Sequence, residues 1–334
     1  MQNIGGRTNC YFGNSTIADL IFVLIRVLLN QEDSQLREVY TDDYIKKIKQ
    51  ENKFFSELVE ALPGKGSEML EFLLLGDNFD DVGEYKRLVI GMDDTDFFYY
   101  FFGGYIDKQL LLIAINNDAD LDMLYLEHKN ICPHISVLRK LIKHRNIFID
   151  DFFSCLDKLY TDEFINAYKV FNDKLNEEFC RLETILQDTE PLELSQKIMG
   201  KTFKNRGPYD GFIFVPSIWI NCNSIRYFGK KQILIYSAKE KGLSKVDIIN
   251  ILKVISDEKR FEIIELLTNS APLIGKELVE RLKLSKATVS HHIEQLKGIG
   301  FINEERVKNS KYYSINTNSV NEFLEYLSSS IKKE

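Results

Sequence analysis

Apolar positions in the first 200 residues recur at helical spacing. The most apolar stretch, IADLIFVLIRVLL at 17–29, contains Asp19 and Arg26 and is too short to span a bilayer, so we interpret it as a buried helix. Several apolar segments end at Gly or Pro, as at Pro63, which is typical of helix ends. The pattern predicts helices at 17–29, 53–61, 67–75, 95–102, 108–115, 133–144, 148–159 and 162–187.

The pattern changes at residues 211–237, where β-branched and aromatic residues dominate. This composition predicts two or more strands, with a hairpin turn at 229–231. The polar stretch 238–245 then separates two domains. We therefore expect a mainly α protein: an α-rich domain over 1–240 that ends in a small β-hairpin or sheet, and a second domain over 246–334.

Short amphipathic helices follow one another in the second domain. Apolar faces predict helices at 247–255, 258–268 and 275–282. A fourth helix follows Ser285, which is placed to cap it, and its core side carries Val289, Ile293 and Leu296. Residues 301–316 then alternate as two strands around a turn at 308–310. This order of elements predicts a winged helix-turn-helix, whose fourth helix enters the major groove of DNA.

Three segments of this domain resemble the ArsR/SmtB family of bacterial repressors, over about a quarter of the chain. They are LKVISDEKRFEIIELL (252–267), ELVERLKLSKATVSHHIEQL (277–296) and GFINEERVKNSKYYSIN (300–316). The resemblance implies a homodimer on a two-fold symmetric operator, with the first helix and a C-terminal helix at 318–331 forming the dimer interface. Less specifically, the GPYDGFIFVPS stretch (207–217) is similar to the upstream domains of longer uncharacterised ArsR-like regulators.

DNA contacts are expected from the polar side of the fourth helix and from the wing, which is the pair of strands at 301–316. Such side chains donate and accept hydrogen bonds at base edges and phosphates. For His292, packing against the neighbouring helix is an equal alternative. The resemblance does not extend to metal sensing, since 275–282 has no cysteine and the last helix has no Asp/His set. The expected DNA-binding residues are Ser285, Lys286, Thr288, Ser290, His291, His292, Gln295, Arg306, Lys308 and Lys311.

Charge is distributed unevenly along the chain, whose net charge is −7. From Val246 onwards there are 13 basic and 13 acidic residues, so the acidic surplus lies upstream. Residues 283–311 include six basic and three acidic residues, and this local excess of positive charge provides a strip that can bind phosphate. Five widely spaced cysteines without a CxxC pair favour a reduced, cytoplasmic chain.

Other motifs in the first domain are weaker. His128, Cys132, His134 and His144 lie close in sequence, yet their spacing matches no standard metal site. The aromatic run 97–105 is more typical of core than of a ligand pocket, and Gly64–Ser67 lacks the first glycine of a phosphate loop.

Neither a catalytic constellation nor a cofactor motif is found, so we expect a non-enzymatic regulator with no cofactor, no metal and no membrane partner. Its first domain would add dimer contacts and sense a small-molecule effector. Two alternatives remain open: an enzyme with catalytic residues in 1–240 tethered to a winged helix, and a protein-interaction scaffold.

Overall fold

The structure is a computed structural model that describes residues 1–30, 34–76, 80–129, 131–199, 208–220, 224–228, 230–238, 245–307 and 310–331. The chain divides into two units. The first contains Met1–Asp188 and Pro208–Ala238, and the second contains Thr189–Gly207 and Lys239–Glu334. The helix at 191–199, which the sequence places within the first domain, thus lies in the second unit.

Helices make up most of the first unit. The apolar pattern of the sequence does not predict those at 34–39, 42–51, 82–90 and 118–127. A 3₁₀ helix spans Ser67–Leu75. The α-helices are α1 (Thr16–Leu28), α2 (Ser34–Val39), α3 (Asp42–Glu51), α4 (Lys53–Ala61), α5 (Val82–Ile90), α6 (Asp94–Phe101), α7 (Lys108–Asn116), α8 (Asp118–Glu127), α9 (Ile135–Lys143), α10 (Arg145–Leu159) and α11 (Asp162–Asp188).

A five-stranded mixed sheet pairs strands from the start of the chain with strands from residues 211–237. The strand order is β1-β2-β3-β5-β4. β4 and β5 pair antiparallel around the turn predicted at 229–231, of which Gly229 lies outside the described residues. β2 is parallel to β3, with Cys10 opposite Phe212. The sequence predicts strands only at 211–237, because two very short strands with a distant partner leave no local signal. The strands are β1 (Gln2–Asn3), β2 (Cys10–Phe12), β3 (Gly211–Ser217), β4 (Ser224–Phe228) and β5 (Lys231–Ser237).

The apolar helix α1 is buried almost all round, as the sequence predicts. Ser15 caps it by accepting a hydrogen bond from the Ala18 amide at 3.1 Å. Its two charged residues are buried as well: Ser217 donates to the Asp19 carboxylate, and Arg26 donates to the Trp219 carbonyl at 3.4 Å. The two charged side chains of this helix therefore bind the last residue of β3 and the chain directly after it. Among the described residues, no helix is long and apolar enough to cross a membrane.

The second unit contains the predicted winged helix-turn-helix, with one helix ahead of it. Asn318 near the chain's end donates to the carbonyls of Lys197 and Ile198, which ties that first helix to the last. The wing strands pair antiparallel and are extended by a two-residue strand. The elements are α12 (Pro191–Met199), α13 (Lys245–Ile255), α14 (Glu258–Ser270), β6 (Leu273–Ile274), α15 (Gly275–Leu282), α16 (Lys286–Gly298), β7 (Ile302–Val307), β8 (Ser310–Ile315) and α17 (Thr317–Ile331).

Two apolar clusters form the core of this unit. One surrounds Ile263, Leu278 and Ile293, and the other joins α13 to α17 through Ile248 and Phe323. Four apolar side chains of the predicted helix faces are exposed. They are Leu252 on α13 at 42%, Phe261 on α14 at 51%, and Leu324 and Ile331 on α17 at 53% and 78%.

Candidate nucleic-acid interface

The turn between α15 and α16 sets the direction of the candidate recognition helix α16. Lys283 ends α15 in the left-handed region, with φ of 54°, which reverses the chain sharply. Ser285 then caps α16, since its Oγ accepts a hydrogen bond from the Thr288 amide at 3.1 Å. The hydroxyls of Ser285 and Thr288 also lie 2.8 Å apart. Ser285 therefore starts the helix, as predicted, and its hydroxyl is already occupied by this cap.

Helix α16 has two contrasting sides. Val289, Ile293 and Leu296 are buried to within 2% exposure, as their spacing predicts. Most of the polar positions, except His292 and Lys297, are exposed and lie on the outer side of the helix. The exposed residues include Lys286, Thr288, Ser290, His291, Glu294 and Gln295.

Two contacts define the edges of this exposed side. On one edge, the Lys297 ammonium lies 2.9 Å from the Glu304 carboxylate of the wing strand β7. On the other, His292 Nδ1 lies 3.9 Å from Asp257 Oδ1, at the start of α14. His292 is only 12% exposed, and its Nδ1 is buried without a hydrogen-bond partner among the described residues. The structure thus places His292 against the neighbouring helix, which was the alternative in the sequence analysis.

The wing changes from apolar to charged along one face of its ladder. Ile302 pairs with Ile315 at its base, Glu304 with Tyr313 above them, and Arg306 with Lys311 towards the tip. Residues opposite one another in an antiparallel pair share a face. The face that packs on the core at the base therefore continues as charged positions beside α16.

Glu304 lies at the centre of an ion-pair cluster that the sequence does not predict. Its carboxylate contacts Lys311 at 2.7 Å and Lys297 at 2.9 Å, and Lys297 also contacts Glu294 at 3.0 Å. Partial burial opposes ionisation, but the hydrogen bonds from Lys311 and Lys297 hold the pKa of Glu304 below its usual range. The carboxylate is therefore ionised at neutral pH and offsets part of the positive strip.

The predicted DNA-binding residues thus fall into four groups. Lys286, Thr288, Ser290, His291 and Gln295 are exposed together on α16. Ser285 is the cap, His292 packs inward, and Lys311 is paired with Glu304. For Arg306 only the backbone position in β7 is described, and Lys308 lies outside the described residues.

Sequence reasoning missed Glu304 and Asp257 as partners of these side chains. The signal for Glu304 is the register: it is the diagonal neighbour of Lys311, two positions from Lys311's direct partner Arg306. A one-residue shift in the assumed register would place Glu304 on the other face, so the pairing needs the structure.

The weaker motifs of the first unit have structural roles. Phe97, Phe98, Phe101 and Phe102 are buried in the core. The Gly64 and Gly66 amides donate to the Glu68 carboxylate at 2.6 and 2.9 Å, so this chain's own side chain occupies that loop.

Potential metal ligands in the same unit do not converge. Cys132 donates to the His134 carbonyl at 3.3 Å, and His144 packs edge-on against Phe54. Within the described part of the chain, no group of three or more His, Cys, Asp or Glu residues could hold a metal ion.

Comparison with known proteins finds a family match in this C-terminal region. The family model described as bacterial regulatory protein, arsR family, matches residues 257–304. The transcriptional repressor SdpR of Bacillus subtilis (strain 168) is 32% identical over 84 residues, which are 25% of this chain and 92% of that protein. The arsenical resistance operon repressor of Staphylococcus xylosus is 32% identical over 89 residues, 27% of this chain and 81% of that protein.

A relative with the opposite regulatory effect also matches. The transcriptional activator HlyU of Vibrio cholerae is 28% identical over 88 residues, which are 26% of this chain and 79% of that protein. The family model lies on the winged helix-turn-helix, and each of these relatives matches about a quarter of this chain. Through this DNA-binding domain, the chain belongs to the ArsR family of bacterial regulatory proteins.

Proposed function

We propose that the protein regulates transcription by binding a specific DNA sequence through the outer side of α16, with the wing alongside. The observation that carries the proposal is the contrast between the two sides of this helix. Short polar side chains that both donate and accept, Ser290, His291 and Gln295, are exposed opposite a fully buried apolar stripe. Such groups read base edges in a major groove, whereas a helix packed against protein would expose apolar residues.

The proposal includes a homodimer on a two-fold symmetric operator. Ile249 and Leu252 on α13, and Leu324 and Ile331 on α17, are between 42% and 78% exposed. They flank the cluster that joins the two helices through Ile248 and Phe323. Apolar groups of this size are more stable when removed from water, and a second copy of the same surface would cover them.

Regulation would arise from a shift between two spacings of the paired recognition helices, only one of which fits the operator. The first unit supplies further dimer contacts and the site for an effector in this proposal. The matched relatives include two repressors and one activator. We favour repression, in which the bound protein occupies the operator.

Substitution of Lys286 tests the α16 surface. Lys286 is exposed in the first turn of α16, and no described residue forms an ion pair with it. If Lys286 contacts a phosphate, Lys286→Gln weakens binding to all duplexes and reduces the slope of log affinity against log salt by about 0.9. The measurement is a fluorescence-anisotropy titration of a labelled duplex, chosen by selection from random sequence, at several salt concentrations.

Lys46→Gln provides the matched control, because Lys46 is an exposed lysine of α3 in the first unit, with 70% of its side chain accessible. It removes the same charge and should leave both affinity and salt slope unchanged. Equal effects of the two substitutions, or no effect of Lys286→Gln, would count against α16 as the DNA-binding helix.

A further inference from the structure

The ion pairs of the wing bear on how strongly this protein holds DNA, an inference that rests on the proposed function. Lys297 and Lys311 come from different elements, α16 and β8, and both contact the single carboxylate of Glu304. The Glu304 side chain is 20% exposed, whereas that of Lys311 is 47% exposed. The carboxylate is therefore held largely below the surface, and Lys311 lies at the edge where a ligand can reach it.

A carboxylate oxygen and a phosphate oxygen bind an ammonium group in the same way, since each accepts charge-assisted hydrogen bonds from it. Lysine presents three rotatable donors on a flexible stem, so its ammonium can be transferred from one acceptor to another with little rearrangement. Glu304 therefore accepts hydrogen bonds from the same two ammonium groups, of Lys311 and Lys297, that would contact DNA phosphates.

We propose that Glu304 competes with DNA phosphate for Lys311 and Lys297 and so limits the affinity of the wing for DNA. In the free protein the carboxylate pairs with both lysines and offsets one of their two charges. On DNA, a lysine that turns to a phosphate leaves Glu304 less well paired, and the carboxylate takes up a cation from solution. Glu304 carries one charge, so this uptake matches the release of one cation from the phosphates and lowers the salt dependence of binding by about 0.9.

The substitution Glu304→Gln tests this competition, because it removes the charge and keeps the shape of the side chain. An exposed ion pair contributes up to about 1 kcal/mol, which corresponds to about fivefold in affinity. We expect Glu304→Gln to bind a labelled duplex about fivefold more tightly at low salt. Its salt slope should be steeper by about 0.9, because the uptake of one cation by Glu304 is lost, and the gain should vanish when Lys311→Gln is added.

Glu262→Gln is the matched control, since Glu262 pairs with Lys259 on α14 at 2.8 Å and the net charge changes equally. Tighter binding by this control as well, or unchanged or weaker binding by Glu304→Gln, overturns the competition. If wild-type protein binds no duplex at all, the proposed function itself fails. Failure of the Glu304 competition is distinct from this outcome, because wild-type protein would then still bind DNA.

A second measurement does not depend on the stability of the Glu304 variant. Competition predicts that Lys311→Gln leaves the salt slope of otherwise wild-type protein unchanged, whereas Lys286→Gln reduces it by about 0.9. Equal reductions in the two variants would show that Lys311 acts as an ordinary phosphate contact and would overturn the proposal.

Discussion

Asp257 connects the stability of α14 with the position of the recognition helix. Its Oδ1 accepts a hydrogen bond from the Arg260 amide at 3.0 Å, which caps α14, and it lies 3.9 Å from His292 of α16. The hydrogen bond from the Arg260 amide lowers the pKa of Asp257. A carboxylate whose pKa is lower in the folded protein than in the unfolded chain stabilises the fold. This stability is fully present above the pKa of the unfolded chain, about 3.9, and is lost as the pH falls through the pKa of the folded protein.

We therefore expect Asp257→Ala to lower the free energy of unfolding by about 1 kcal/mol at neutral pH, through loss of the cap. Asp257→Asn retains an acceptor for the Arg260 amide and should cost less. The deficit of the alanine variant should shrink below about pH 4, where the wild-type carboxylate is protonated. Denaturant titrations at several pH values measure this, and a deficit independent of pH would contradict the role of the charge.

The sequence predicts single residues well where one local rule decides their place. Ser285 precedes an amphipathic helix and caps it as expected. Lys311 and His292 are different, because their partners Glu304 and Asp257 come from other elements. Pairing across elements depends on strand register and helix packing, which local patterns do not specify.

Helices α13 and α17 together carry the proposed dimer surface. A glutamate within it would place a charge in the apolar contact, where burial without a partner is costly. We expect Leu252→Glu or Leu324→Glu to convert the dimer into a monomer and to weaken operator binding by at least about tenfold, because the two half-sites no longer bind together.

Native mass spectrometry gives the oligomeric state of each variant directly. Phe261→Glu serves as control, since Phe261 is an apolar residue that is 51% exposed and belongs to α14, not to α13 or α17. It should leave the dimer intact. Wild-type protein that is monomeric at micromolar concentration, or Leu324→Glu protein that remains dimeric, would contradict this surface.

The accuracy of the predicted elements differs between the two units for a physical reason. In the winged helix-turn-helix, each helix has a clear apolar face and follows its neighbour after a short turn, so the order of elements identifies the fold. In the first unit, α3, α5 and α8 bury few side chains, and β2 finds its partner β3 far along the chain. The sheet order could not be predicted from local spacing.

Across the whole molecule, the net charge is a poor guide to the DNA-binding surface. The chain carries −7 overall, and Glu304 offsets one of the two charges of Lys297 and Lys311 in the positive strip. In the proposed complex with DNA, affinity depends on a small exposed area of α16 and the wing. The family match lies within the second unit, at residues 257–304. In the proposed function, the large first unit adds dimer contacts and the site for an effector.

The central claim is that the outer side of α16 reads DNA sequence. Selection of duplexes from a random-sequence pool tests it most directly, with wild-type protein compared with the triple variant Ser290→Ala, His291→Ala, Gln295→Ala. All three side chains are exposed, so the variant should keep its fold and its unfolding temperature. We expect wild type to enrich a two-fold symmetric sequence and the variant to enrich none. Enrichment of the same sequence by both proteins, or by neither, would contradict the account.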